Sequence, residues 1–296
     1  VPTFEQAARE HWQTLAPTFR NASHRAQWIS SLEMHVFREI GDRKIDSLDT
    51  EDFAKIFNRL IHKIPETTKR IKSRCNVVMV ACRAKRLITF NPLADIDALL
   101  AKPVLQPDRH MPAMPWQQVP AFVAEHLAGA LGAKAALLFV ILTACRSGEA
   151  RGAVWSEIDF DNRLWTIPAT RMKAYRAHRV PLSDQAIELL HNQARLMRSD
   201  YIFPALRGNG QLSDMALTSI LRKANAVSDI PGRVATAHGF RSSFRNWCAD
   251  KGVLHEIAER ALAHTISNKV TAAYERTDRL EARVQLMADW GGFIIA

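Results

Sequence analysis

Apolar residues recur at helical spacing through most of this chain. Phe4 to Leu15 is short and amphipathic, and Asn21 to Ile40 places Trp28, Leu32, Met34, His35 and Phe37 near a helical period before stopping at Gly41. Asp49 and Thr50 supply capping side chains for a helix that carries Phe53, Ile56, Phe57, Leu60 and Ile61. A further helix is expected from Pro65 to about Arg86: proline suits a first turn, where its missing N–H loses no bond, and Glu66 meets the positive end of the helix dipole. Residues 1–100 therefore read as one helical unit. The composition shifts at Asn91-Pro92, and Pro103, Pro107, Pro112 and Pro115 fall in a stretch with little periodicity, so 101–115 is expected to be a Pro-rich interdomain linker.

Beyond it, Trp116 to Ala128 and Leu131 to Cys145 are helical in pattern. The period then changes. Val154-Trp155, Leu164 to Ile167 and Arg179 to Leu182 read as short strands, with Asp159 to Asn162 supplying turn chemistry. Helical patterns resume over Asp184–Met197, Ser213–Ala226, about Phe240–Lys251, Leu254–Ala263, Asn268–Glu275 and Asp278–Trp290. The expected fold class is mainly α with a small antiparallel β-sheet, the second domain spanning 116–296. It ends in a tail, Gly291 to Ala296, whose Phe293, Ile294 and Ile295 follow a glycine pair and are poorly suited to water; folding back on its own domain and fraying are the ordinary readings.

Length and charge sharpen this picture. A chain of 296 residues exceeds the usual limit of a single core, which favours two domains. The longest apolar run, Ala135 to Cys145, is too short to cross a bilayer and reads as a buried helix. Cys75, Cys82, Cys145 and Cys248 lack both zinc-site spacing and the density of a disulfide scaffold, which fits a reducing cytoplasm. The start at Val1, without Met or a signal-peptide pattern, points to a longer parent protein. Forty Lys and Arg against 30 Asp and Glu give a net charge of +10, a field that attracts polyanions. No lipidation motif accompanies it, so nucleic acid is favoured over a membrane surface. The helix from Pro65 concentrates the charge: Lys69, Arg70, Lys72, Arg74, Arg83, Lys85 and Arg86 surround an apolar seam of Ile71, Cys75, Val78, Met79 and Cys82. One face is expected to pack and the other to meet phosphate, although a solvated helix surface has the same composition.

Candidate chemistry begins with what is missing. The chain has no glycine-rich phosphate loop or dinucleotide fingerprint, Gly208-Asn209-Gly210 is more simply a turn, and His255-Glu256 lacks the second His of a zinc protease. Three patterns remain. Arg146-Ser-Gly-Glu149 follows the apolar helix; His238-Gly-Phe-Arg241 opens another helix, where N–H groups also face anions; and His264 precedes Tyr274, one of only three tyrosines. Each has an ordinary reading alone, as an ion pair, a capped helix or a packed ring. Together they match a need: a phosphodiester under attack gains charge on its non-bridging oxygens, which two Arg forks and His donors hold without a metal. A tyrosine hydroxyl is a plausible nucleophile, and Lys173, ahead of the His178-to-Ser183 segment, is placed to supply a proton to the leaving oxygen.

At this point the sequence resembles the tyrosine recombinases, specifically phage and genomic-island integrases. The resemblance rests on Thr143-Ala-Cys-Arg146-Ser-Gly-Glu149, Trp155-Ser-Glu-Ile-Asp159, Lys173 followed by Val180-Pro-Leu-Ser183, Ala237-His238-Gly-Phe-Arg241, Leu262-Ala-His264 and Tyr274, which occur in the family's order from about Phe4 to Trp290 with no active-site position substituted. It implies a helical core-binding domain and a mixed α/β catalytic domain that clamp opposite faces of the duplex; on the charge pattern, Lys69, Arg70, Lys72 and Arg74 of the basic helix are expected on the DNA. It further implies that Arg146 and Arg241 bind the scissile phosphate, His264 donates to it, and Tyr274 attacks to leave a 3′-phosphotyrosine and a free 5′-OH. His238 would assist as proton acceptor and phosphate ligand, Lys173 would be the general acid, and Glu149 would orient its neighbours. No metal or cofactor is expected. The implied partner is double-stranded DNA, with a monomer off DNA, a tetramer on paired sites in which the tail from Gly291 docks on a neighbouring protomer, room for an accessory DNA-bending protein, and a location on the bacterial nucleoid. An amino-terminal arm-site-binding domain of the related integrases is not part of this sequence. A type IB topoisomerase uses similar chemistry, and a non-catalytic DNA-binding relic would keep the charge; the intact set of site residues argues against decay.

Overall fold

The structure is a computed structural model that describes residues 1–19, 21–102, 110–195, 199–208, 210–264 and 278–295. Its chain divides into two compact units, Val1–Pro107 and Asp108–Ala296.

The first unit is helical. Helix α1 (Phe4–Leu15) starts from a reciprocal cap between Thr3 and Gln6, and α2 (Ala22–His35) is capped by Asn21. The pattern predicted one helix over 21–40, but Val36 leaves helical geometry (φ −122°, ψ −50°) and a separate turn, α3 (Phe37–Ile40), follows. The break accompanies full burial of the β-branched Val36 side chain in the core. Asp49 and Asp52 cap α4 (Thr50–Ile61) reciprocally, and α5 (Pro65–Ala84) begins with its proline, as its sequence suggests. The core gathers Phe4, Leu32, Phe53, Phe57, Ile71, Val78 and Met79, with Phe4 and Phe53 meeting edge to face at 5.7 Å.

Helix α5 overturns one expectation. Arg74 does not face solvent: it is buried, and its Nη1 donates to the Gln27 carbonyl at 2.8 Å and the Ser31 hydroxyl at 2.5 Å, tying α5 to α2. The reason is register, because Ile71, Arg74, Cys75, Val78, Met79 and Cys82 follow the three-and-four spacing of a single helix face. Lys69 and Arg70 do point outward, Lys69 paired with Glu66 at 2.9 Å, whereas Lys72 pairs with Asp97.

In the second unit, α6 (Val119–His126) leads to α7 (Ala133–Thr143), a helix buried along nearly its whole length, and to the short α8 (Ser147–Arg151). A three-stranded antiparallel sheet follows in the order β1 (Ile158–Asp159), β2 (Leu164–Ile167), β3 (His178–Pro181), with Trp165 opposite both Ile158 and Val180. The first strand lies later than the pattern of Val154-Trp155 suggests: Val154 makes only a bridge to Tyr201, and Trp155 starts a helical turn. Asp159 decides this by accepting the Asn162 N–H at 2.9 Å, which places the hairpin turn immediately after residue 159. Helices α9 (Asp184–Ala194), α10 (Asp214–Lys223), α11 (Gly239–Asp250), α12 (His255–Ala261) and α13 (Leu280–Ile294) complete the unit. Helix α7 is their common centre, packed by α9, α10, α11 and α13. The helix expected over 268–275 lies outside the described residues.

The C-terminal tail folds back onto its own unit instead of projecting as a docking arm. Helix α13 runs straight through Gly291-Gly292 to Ile294; Trp290 and Ile294 are buried, and the Trp290 indole donates to the Ile141 carbonyl at 2.8 Å. Phe293 meets the Trp116 ring at 5.4 Å and stacks near Trp247. The glycine at 291 permits the approach, since a Cβ there would sit 2.7 Å from Gln185 Oε1 and collide with the Ser183 hydroxyl. Phe293 and Ile294 thus cover their own domain rather than a neighbour, because Trp116 and Trp247, distant in sequence, together form an aromatic slot. Among the described residues no helix is long and apolar enough to cross a membrane.

Candidate active site

The candidate site forms where three helix ends meet. Helix α7 stops at Ala144, which adopts a left-handed conformation (φ 50°) and turns the chain so that Cys145 stays buried and Arg146 opens α8. Glu149, one turn on, is buried; its carboxylate accepts the Arg146 backbone N–H at 2.7 Å and the Arg146 guanidinium at 2.8 Å. The ion pair three residues apart is present, and it is also a clamp that fixes both the backbone and the fork of Arg146.

Arg241 enters from the first turn of α11. Its Nη1 donates to the Ala144 carbonyl and its Nη2 to the Leu262 carbonyl, each at 2.6 Å, and Nη2 also lies 3.0 Å from His264 Nε2. Burial, reinforced by nearby Arg146, pushes Arg241 down to about 10, still cationic at neutral pH. Helix α11 reaches this place because residue 239 is glycine: a Cβ would land on the Pro112 carbonyl and 2.8 Å from Ala113 Cα. The Ser243 hydroxyl donates to the Met114 carbonyl at 2.5 Å and fastens the same contact.

His264 follows α12 after a second left-handed alanine, Ala263 (φ 49°), whose carbonyl accepts from Arg146 Nη2 at 3.4 Å. The same strained turn, an alanine at positive φ, thus precedes both the Arg146 segment and His264. His238 sits at the N-cap of α11 with an exposed side chain; partial desolvation and then the charges of Arg241 and Arg146 push its basicity down. Lys173 stands apart. It is exposed in the loop between β2 and β3, and among the described residues no hydrogen bond or ion pair joins it to the other candidates. Tyr274 lies outside the described residues.

The structure adds residues that sequence patterns did not single out for this site. Glu259 of α12 accepts from or faces His264 Nδ1 at 2.8 Å and is held on its other oxygen by Arg245 Nε, also at 2.8 Å. Arg171 donates to both oxygens of Glu157 at 2.5 Å and reaches the Glu149 carbonyl, so the loop carrying Lys173 is anchored to the back of the Arg146 clamp two residues away. His178, at the start of β3, is mostly buried; burial and then Arg283 push it down to about 4, so it is neutral at physiological pH. The only usable signals were proximity, Glu259 five positions before His264 and Arg171 two before Lys173. Among the described residues no three His, Cys, Asp or Glu side chains converge as metal ligands do. What the site offers is a cluster of two guanidiniums and two imidazoles balanced by two carboxylates, a set suited to gripping a dianionic or pentavalent phosphate.

Comparison with known proteins places this geometry. Residues 114–281 match the model of the phage integrase family, and residues 4–98 match that of the phage integrase central domain. The prophage integrase IntA of Escherichia coli K12 is 30% identical over 292 residues, an alignment covering 97% of this chain and 69% of IntA. The integrase of Enterobacteria phage P4 is 31% identical, covering 99% of this chain and 69% of the phage protein. Among solved structures, a lambda integrase (75–356) dimer bound to a core site superposes with a TM-score of 0.70 at 18% identity, covering 89% of this chain and 96% of that one. The Tn1549 transposon integrase in complex with circular intermediate DNA gives 0.62 at 15% identity, covering 93% of this chain and 100% of that one. With one model on each compact unit and these relatives spanning both, the chain belongs to the phage integrase family of tyrosine recombinases.

Proposed function

We propose that this chain cuts and rejoins double-stranded DNA at specific sites through a covalent 3′-phosphotyrosine at Tyr274, in the integration or excision of a mobile element. The observation that carries the reading is the meeting of Arg146, Arg241 and His264 at the ends of α8, α11 and α12, with Arg241 in contact with His264. Arg146 and Arg241 bind the non-bridging oxygens of the scissile phosphate, and the rigid support of both forks means that little reorganisation accompanies charge development. His264 donates to the same phosphate. His238, whose basicity desolvation and then the neighbouring guanidiniums push down, accepts the Tyr274 proton, and Lys173 is carried by its loop to protonate the 5′ oxygen. Because the phosphotyrosine bond preserves the energy of the broken linkage, rejoining needs neither nucleotide nor metal.

The outward Lys69 and Arg70 of the first unit contact the DNA backbone. A lambda integrase tetramer bound to a Holliday junction superposes on this chain with a TM-score of 0.70, which supports a tetramer on paired sites. The proposal further takes the chain as a monomer away from DNA, working on the nucleoid in a bacterial cytoplasm. Relaxation of supercoils by a topoisomerase is not favoured, since the relatives that span both units are integrases. The test is a nicked duplex, selected from a random pool by affinity for the chain, that traps the cleaved strand. The expected product is a protein–DNA adduct whose peptide map ends at Tyr274; linkage at Tyr175 or Tyr201, or no adduct, refutes the proposal.

A further inference from the structure

Arg146, Arg241, His238, His264 and Glu149 each have a task in the proposed reaction. Glu259 does not. Its side chain lies 2.8 Å from His264 Nδ1 through Oε2, its other oxygen accepts from Arg245 Nε at 2.8 Å, and its backbone carbonyl accepts the His264 N–H at 3.0 Å. One residue thus holds His264 by both main chain and ring, across the left-handed turn at Ala263. Arg245 in turn contacts His255 Nδ1. Burial alone would raise the Glu259 carboxyl, but the hydrogen bonds from His264 and Arg245 outweigh it and bring the group below its ordinary range, so it is a carboxylate at neutral pH.

We propose that Glu259 is a positioning residue that fixes the proton of His264 on Nδ1 and thereby makes Nε2 the nitrogen that serves the phosphate. The argument is one of donors and acceptors. A carboxylate only accepts, so Nδ1 carries a hydrogen; a guanidinium only donates, so Nε2, 3.0 Å from Arg241 Nη2, is the bare nitrogen of a neutral ring when no phosphate is present. To donate to a phosphate oxygen, Nε2 takes up a proton, and the resulting imidazolium lies against the negative charge of Glu259. The other charged or titratable groups around the ring are Arg241, Arg146 and His238 beside the two forks, and Arg176, His178, Arg260, Arg283 and Asp278, which line a cleft that His264 also borders. Among the described residues Glu259 is the carboxylate in contact with the ring. Arg245, by gripping the second oxygen, keeps that carboxylate from rotating toward Arg241.

This inference rests on the recombinase reading for its consequence but not for its first test. In the full chain labelled with 15N-histidine, without DNA, NMR is expected to show His264 as the Nδ1–H tautomer at high pH; in Glu259→Gln, whose amide can either donate or accept, that preference is lost. In the second arm the adduct rate on the selected nicked duplex is measured against pH. Glu259→Gln is expected to lower the maximal rate about tenfold or more and to move the alkaline fall in rate to lower pH, with unchanged DNA affinity and thermal midpoint, while Glu259→Asp restores part of the profile. An Nε2–H tautomer in the wild type, or a Glu259→Gln variant with wild-type tautomer and pH profile, overturns the proposal. A wild type that forms no adduct refutes the recombinase reading alone, and the tautomer still decides the role of Glu259.

Discussion

Arg241 Nη2 is 3.0 Å from His264 Nε2, yet the same guanidinium is already committed to the carbonyls of Ala144 and Leu262. Arg146 differs: its fork is held chiefly by Glu149 and its side chain retains 28% exposure, against 4% for Arg241 as a whole residue. The two arginines therefore share a ligand in the proposed reaction but not a structural burden. Lysine at either position keeps the charge and loses the planar fork. Arg146→Lys is expected to slow adduct formation by two or more orders of magnitude, by rough analogy with loss of a single oxyanion donor, while leaving stability nearly unchanged. Arg241→Lys is expected to show the same kinetic loss and in addition a destabilisation of about 1–3 kcal/mol, because two buried carbonyls lose their donor. Parallel urea titrations and single-turnover cleavage separate the two; equal stability of both variants would contradict the assigned contacts.

Lys173 stands in an exposed loop whose near end is tied down by Arg171 on Glu157 and Glu149. A loop anchored at one side suits delivery of a proton during reaction rather than permanent residence in the site. Lys173→Ala is expected to cleave ordinary DNA slowly but to approach wild-type rate when the 5′ bridging oxygen is sulfur, a leaving group that needs no proton. Failure of sulfur to rescue the variant assigns the acid to another residue.

The degree to which this was legible in the sequence varied with the range of the interactions involved. Local signals were reliable: Asp49 caps the helix whose start it marks, and Pro65 opens α5. Arg146 with Glu149, and His238 with Arg241, were visible because each pair spans a single turn. Contacts set by tertiary packing were hidden. The inward turn of Arg74 depends on Gln27 and Ser31 of another helix, and the slot that receives Phe293 is built from Trp116 and Trp247. Glu259 carried no motif, since its meaning comes from the left-handed turn at Ala263, an alanine in a conformation that composition does not announce.

His178 makes stability depend on pH. Its folded value, about 4, lies below the ordinary 6.5, so the unfolded chain takes up the proton first. The contribution is complete above pH 6.5 and is lost as pH falls toward 4, amounting to about 3 kcal/mol for a shift of this size. His238, also pushed down, adds in the same direction. Tryptophan-monitored urea unfolding between pH 7.5 and 4.5 is expected to show this decline, and His178→Gln is expected to flatten it. An unaltered slope in that variant assigns the dependence elsewhere.

Arg74 and Arg70, four positions apart on α5, are expected to fail in different ways. Arg74→Ala leaves the Ser31 hydroxyl and Gln27 carbonyl without their donor and is expected to destabilise the first unit by about 1–3 kcal/mol. Charge reversal at Lys69 and Arg70 is expected to leave stability intact, weaken binding to many DNA sequences alike, and reduce the salt dependence by about 0.9 in slope per lost phosphate contact. A change in sequence preference at constant salt slope would instead make these side chains base readers.

The end of α13 supplies the last prediction. Gly291 packs against Ser183 and Gln185, Phe293 against three tryptophans, and Ile294 is 2% exposed, so these residues close the catalytic unit's own core. Burying an aromatic and a branched aliphatic side chain contributes about 1.5–3 kcal/mol each, and their removal would also uncover the Trp116, Trp247 and Trp290 rings they shield. Deleting Phe293 to Ala296 is therefore expected to destabilise the second unit by about 3–5 kcal/mol and to lower single-site binding and synapsis together. Ile295→Ser, at a position 43% exposed, is expected to change stability by less than about 0.5 kcal/mol. If Ile295→Ser reduces synaptic complexes on a native gel while sparing single-site binding, the exposed end of the helix touches a neighbouring protomer even though Phe293 and Ile294 do not. If deleting Phe293 to Ala296 leaves the unfolding transition unchanged, the packing of α13 against the three tryptophans is not what holds the end of the chain.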